Sequence, residues 1–112
     1  MDKLNTQLIK TFEDKLDNSY SVYKNEMLQR DKLTIFNSAH QIHFFECLVN
    51  YLQQYVWDDS AEHKCRLELL NKQQNILYPL WNTYTETEWL GYTSWEEIDD
   101  LMGEFYRLNN IE

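Results

Sequence analysis

DKLTIFNSAHQIHFFECLVNYLQQYVW, residues 31–57, decides the fold. Ile35, Ala39, Ile42, Phe45, Leu48, Leu52 and Tyr55 recur at steps of three and four, the period of one helix face. Phe36, Phe44 and Tyr51 widen that face until most sides are apolar. Such a helix needs neighbours all round, so it is expected at the centre of a bundle. Asp31 is a suitable N-cap, because its carboxylate can accept from a first-turn N–H. The stretch reads as one helix from Asp31 to about Trp57.

The flanking segments repeat the pattern. Leu4, Leu8, Phe12 and Leu16 fall four apart, and Tyr20, Tyr23 and Met27 continue their stripe, giving a first helix over about 2–30. Asn18-Ser19 could bend it. Asp58-Asp59-Ser60 ends the central helix, and the Asp59/Glu62 spacing places a third helix start near Ser60. Leu67, Leu70 and Cys65 are expected to point inward from it. The polar run Asn71-Lys72-Gln73-Gln74 interrupts, and Asn75 would cap a helix carrying Ile76, Leu77, Leu80, Trp81 and Tyr84. Pro79 fits only in that helix's first turn, where its missing N–H costs nothing. Residues 85–93, with Gly91 and three Thr, read as a loop or a frayed helix end. Ser94 with Glu97 three residues on is a capping box, opening a last helix with Ile98, Leu101, Met102, Phe105 and Leu108 inward. The expectation is a single all-α domain over 1–112, a bundle of four or five helices. Two Gly and one Pro in 112 residues agree, since sheets and loop-rich folds need more turn residues.

Charge is unevenly placed. The formal net charge is −9. Residues 84–112 hold eight acids and one base, Arg107, whereas the first 83 hold eleven acids and nine bases. An acidic surface repels nucleic acid and anionic membrane and attracts basic grooves. The chain lacks a Lys/Arg stripe, so direct nucleic-acid binding is not expected. Its first residues lack the apolar run of a signal peptide, and no stretch approaches a membrane span. Two cysteines make no disulfide framework. A cytoplasmic protein with reduced thiols is the expectation.

The acids of the C-terminal quarter lie among aromatic residues. Glu86, Glu88, Glu96, Asp99, Asp100 and Glu104 share it with Trp89, Tyr92 and Trp95, and Tyr78, Trp81, Tyr84 and Tyr106 lie close in sequence. Carboxylates on a rigid helix can stand in for phosphates in a groove whose binding energy is electrostatic. Tyr and Trp are enriched at binding hot spots. The plainer alternatives are acids that cap and solvate a helix, and rings that fold back to seal the bundle.

His40, His43 and Cys47 stand at i, i+3 and i+7, with His63 and Cys65 across the next turn; this His/Cys set is a candidate zinc site. Neither a CxxC nor an HExxH motif is present, and buried thiols or surface imidazoles explain the same residues. No phosphate-binding glycine loop, GxSxG or ExxH pair points to catalysis. The expectation is a protein that is not an enzyme and needs no cofactor.

Leu67-Glu68-Leu69-Leu70 followed by Ile76-Leu77-Tyr78-Pro79-Leu80-Trp81, after an aromatic-rich helix, resembles small helical proteins of bacterial mobile elements and phages. The resemblance covers about residues 33–90 and implies a mobile-element role. Small acidic phage inhibitors of host nucleases, anti-CRISPR proteins among them, are similar in size and charge. The leading expectation is therefore an acidic inhibitor of DNA-mimic type, with Glu86, Glu88, Trp89, Tyr92, Trp95, Glu96, Asp99, Asp100 and Glu104 meeting a basic protein. The alternatives are a module that self-associates, as a homodimer, through its Tyr- and Trp-rich surface, and a zinc-binding module.

Overall fold

A computed structural model of the chain describes residues 5–86 and 95–111. Those residues form six helices and no strand: α1 (Thr6–Leu28), α2 (Lys32–Asn37), α3 (Ala39–Gln54), α4 (Ala61–Lys72), α5 (Leu77–Glu86) and α6 (Trp95–Leu108). Among the described residues no helix is long and apolar enough to cross a membrane. α3 packs against α1, α5 and α6, and so holds the central position its apolar breadth demands. α1 lies chiefly along α4, and α5 along α6.

Six helices replace four or five because the 31–57 stretch is not one helix. Asp31 caps α2 as expected, its carboxylate accepting from Thr34 N at 2.7 Å. The helix then breaks at Ser38, whose φ of −97° and ψ of 8° close a turn before α3 begins. Asn37-Ser38 is a natural place for this, since short polar side chains compete with helical hydrogen bonding. The break turns α2 off the core, leaving Leu33 and Phe36 among the most exposed apolar residues. The expected inward position of Phe36 is thereby corrected. At the other end α3 stops at Gln54. Tyr55 turns extended, and Trp57 folds back to meet the Phe12 ring edge-on at 5.5 Å.

α1 runs unbroken through Asn18-Ser19, because Ser19 faces inward and its Oγ accepts from Ile76 N at 3.3 Å. Its start is tied to the α3–α4 connection: Asn5 Nδ2 donates to the Asp58 and Ser60 carbonyls, and Asp59 Oδ1 accepts from Asn5 N. Asp59 being so engaged, Ser60 caps α4, with Oγ accepting from His63 N at 3.1 Å. Cys65, expected inward, is exposed. Asn75 caps α5 through bonds from Leu77 N and Tyr78 N, and Pro79 lies in the first turn.

The core under these helices is built from Phe12, Leu16, Phe44, Phe45, Leu48, Leu67, Leu70, Ile76, Leu77, Leu80, Ile98 and Leu101, all essentially fully buried. α6 is strongly amphipathic, with Ile98, Leu101, Met102, Phe105 and Tyr106 inward. Its end is closed by Asn110 at φ 65°, with Ile111 N donating to Tyr106 O and Asn110 N to Arg107 O. This is the left-handed stop that glycine usually supplies and asparagine tolerates. Leu108, expected inward, is about half exposed, being the last helical residue before that stop. Gly103 sits mid-helix, where glycine costs roughly 0.5–1 kcal/mol relative to alanine.

Candidate partner interface

The helical period assigns each residue of α6 to a side. With Ile98, Leu101, Met102 and Phe105 inward, Glu96, Asp100, Gly103 and Arg107 fall on the outer face. Trp95 and Asp99 stand four apart along one edge. Trp95 is 47% exposed and meets the Tyr51 ring edge-on at 5.8 Å. The Tyr51 hydroxyl donates to Asp99 Oδ1 at 2.5 Å. Burial, with the Asp99 hydrogen bond second, holds the Tyr51 phenol well above its ordinary range, so it stays a donor. The indole and the carboxylate are thus positioned by one buried ring.

The other acids divide by surroundings. Glu96 and Asp100 are exposed, and among the described residues no ion pair holds either. Glu104 is bonded by the Arg107 guanidinium, which holds its carboxyl below the usual carboxylate range, so its charge is largely answered within the helix. Glu86 is the last described residue of α5 and is exposed. Glu96 and Glu97 lie in the first turn of α6, where the dipole favours it. Capping chemistry therefore accounts for Glu96 and Glu97 but not for Glu86, Asp99 or Asp100. Glu88, Trp89, Tyr92 and the expected cap Ser94 lie outside the described residues.

The aromatic cluster is only partly a surface. Tyr84 and Tyr106 are buried, Trp81 is half-buried and stacked on Tyr84, and Tyr78 is 38% exposed. That burial keeps Tyr84 and Tyr106 out of a surface of the kind expected.

The His/Cys set is dispersed. His40 Nε2 lies 3.0 Å from Tyr84 Oη, and its ring meets Trp81 edge-on. His43 Nε2 and Cys47 Sγ are 3.6 Å apart, one helical turn apart on α3. His63 Nδ1 is 2.9 Å from the Asp58 backbone N and 3.0 Å from Asp58 Oδ1. The amide always carries its hydrogen, so Nδ1 is the acceptor there. Asp58 Oδ1 in turn accepts from Ser60 N, and hydrogen bonding by Ser60, its side chain first and its backbone second, lowers the Asp58 pKa. Among the described residues no group of three or more His, Cys, Asp or Glu side chains could hold a metal ion. The expected convergence of His40, His43, Cys47, His63 and Cys65 is corrected: His43 and Cys47 meet, but His40 is engaged by Tyr84, His63 by Asp58, and Cys65 faces solvent.

Sequence reading missed a second exposed region. Leu28 (78%), Leu33 (70%) and Phe36 (77%) crown the corner where α1 ends and α2 begins. A half-open apolar groove beside them runs between Met27, Ile35 and Ile42. The available signal was Asn37-Ser38, which permits the turn that exposes Phe36. No protein-family model, curated protein or solved structure matches the chain.

Proposed function

We propose that this protein is a non-catalytic inhibitor that docks the Trp95–Asp99 edge and outer face of α6 on a basic protein surface, the nucleic-acid groove of a nuclease being the surface class it fits. The observation that carries the reading is a half-exposed indole set beside Asp99, with Glu96 and Asp100 on the adjoining outer face. Such an indole supplies apolar area, and the acids supply complementarity to Lys and Arg.

Magnitudes narrow the target. α6 carries five acids against Arg107, a net of −4. Over its length of about 21 Å, duplex DNA would carry about 12 phosphate charges and a single strand about 6. The helix matches a short single-strand path better than a duplex channel. The test is displacement of a labelled single strand from a candidate CRISPR nuclease, with Glu96→Lys/Asp100→Lys as the variant. Asp99 is left in place, because it also holds Tyr51. The expected result is displacement by the wild type and at least a tenfold loss in the variant, with helical circular dichroism unchanged. Equal potency of the two proteins overturns the reading.

A second reading has its own observation. The Leu28–Leu33–Phe36 corner is apolar and uncovered, as a self-association surface would be in the separated chain. Sedimentation at micromolar concentration decides it. A dimer abolished by Leu33→Ser/Phe36→Ser supports this reading, and a monomer rejects it.

A further inference from the structure

The corner where α1 meets α2 carries a projection and a recess side by side. Leu33 and Phe36 stand three apart on one face of α2, 70% and 77% exposed. Ile35 instead faces a groove of about 280 Å³ that Met27 and Leu28 of α1 and Ile42 of α3 also line. We infer that the occupant of this groove is Phe36 of a second copy, seated reciprocally, so that two chains close into a dimer about a two-fold axis. This arrangement rests on the self-association reading above and adds to it the seat, the symmetry and the stoichiometry.

The ring cannot reach the groove of its own chain. One residue along a helix is a rotation of about 100°. With Ile35 turned in, Phe36 is turned out, and neither it nor Leu33 lines the groove. Only another chain's Phe36 can enter. Space agrees, since a cavity near 150 Å³ accepts a benzene-sized ring, and the groove is larger and mostly apolar.

Charge selects a copy of this chain over other occupants. Residues 20–46 hold Lys24, Arg30 and Lys32 against Glu26, Asp31 and Glu46, a net of zero. The whole excess of −9 therefore lies elsewhere in the chain. Two copies meet here without bringing acid against acid, whereas at α6 they would set −4 against −4. A neutral patch gives no electrostatic steering to a basic protein, and none to an anionic membrane.

Projection and recess belong to one patch, which is the self-complementarity that an isologous contact requires. Each pairing uses both on both chains and leaves no seat for a third. Side chains this exposed make an apolar patch on the order of 400 Å², below the roughly 800 Å² per partner of a standard interface. The dimer is therefore an exchanging one, not an obligate one.

The experiment is sedimentation equilibrium of the full chain at micromolar concentrations. Expected are a dimer whose mass does not rise further with concentration, and at least tenfold weaker association for two variants. Phe36→Ser removes the projection, and Ile42→Lys blocks the recess. Leu28→Lys, at the exposed lip of the groove, repeats the second test without disturbing buried structure. A mixture of Phe36→Ser with Ile42→Lys regains one seat of the two, because the first keeps the groove and the second keeps the ring. Their heterodimer should therefore be tighter than either homodimer, with circular dichroism unchanged in all variants. A dimer weakened by Phe36→Ser but indifferent to Ile42→Lys and Leu28→Lys overturns the seat and spares self-association. A mixture without heterodimer overturns the reciprocity, and masses growing past two overturn the closure. A wild type monomeric throughout overturns both readings, and its flotation with neutral phospholipid vesicles would assign the groove to acyl chains instead.

Discussion

The outer face of α6 and the corner at α2 are both exposed, but they are built in opposite ways. α6 presents charge outward and anchors it through Ile98, Leu101, Met102, Phe105 and Tyr106, all buried. α2 presents Leu33 and Phe36 outward, and all six of its residues are at least partly exposed. One surface rests on buried side chains of its own helix; the other has none, Ile35 being the one half-buried residue of α2. An electrostatic surface must hold charges at set positions to match a partner, so rigidity underneath helps it. An apolar surface needs only area, and tolerates a loosely held support.

The largest expected effect tests that difference in anchoring. Leu101→Ala, beneath α6, should lower stability by about 3 kcal/mol, within the range for a fully buried leucine. Phe36→Ala, on α2, should change it by less than about 0.5 kcal/mol. Urea denaturation of both variants measures the pair, and comparable losses would mean that α2 is core after all.

Salt separates the surfaces next. Raising ionic strength from 50 to 200 mM should weaken an α6-mediated complex severalfold, because exposed charges are screened within about 10 Å at 0.1 M. Association through Leu28, Leu33 and Phe36 should be unchanged or slightly strengthened, since apolar burial does not depend on screening. Calorimetry or sedimentation across that range gives the slopes, and two equal slopes erase the distinction.

The caps give the smallest contrast. Ser60→Ala removes the acceptor at the start of α4, a helix carrying buried Leu67 and Leu70, and should cost about 1 kcal/mol of global stability. Asp31→Ala removes the equivalent bond from α2 and should leave the melting temperature in place while loosening residues 32–37. Thermal unfolding followed by circular dichroism compares the two.

Local chemistry was the legible part of this fold. The caps at Asp31 and Asn75, the first-turn place of Pro79, and the inward Ile98–Phe105 stripe each depend on residues within a few positions of one another. The Ser38 break was hidden because the steps from Ile35 through Ala39 to Ile42 keep a helical period across it, with no Gly or Pro to mark the turn. Phe36 was therefore assigned to a face that α2 no longer shares with α3. The α6 interface was half legible: helical phase put Glu96 and Asp100 outside, but pairing of Tyr51 with Asp99 spans 48 positions. The His/Cys set misled because sharing a helix face does not prevent His40 from being taken by Tyr84, 44 positions away, or bring His63 and Cys65 of α4 to that face.

The turn at Ser38 also sets a short helix apart from the bundle. A six-residue helix is far below the length at which a helix sustains itself in water. Its amides should exchange with deuterium through local opening, orders of magnitude faster than those of residues 44–52. Exchange of that kind would mark residues 32–37 as an arm whose shape in the isolated chain is a starting point for fit, with the bundle behind it intact.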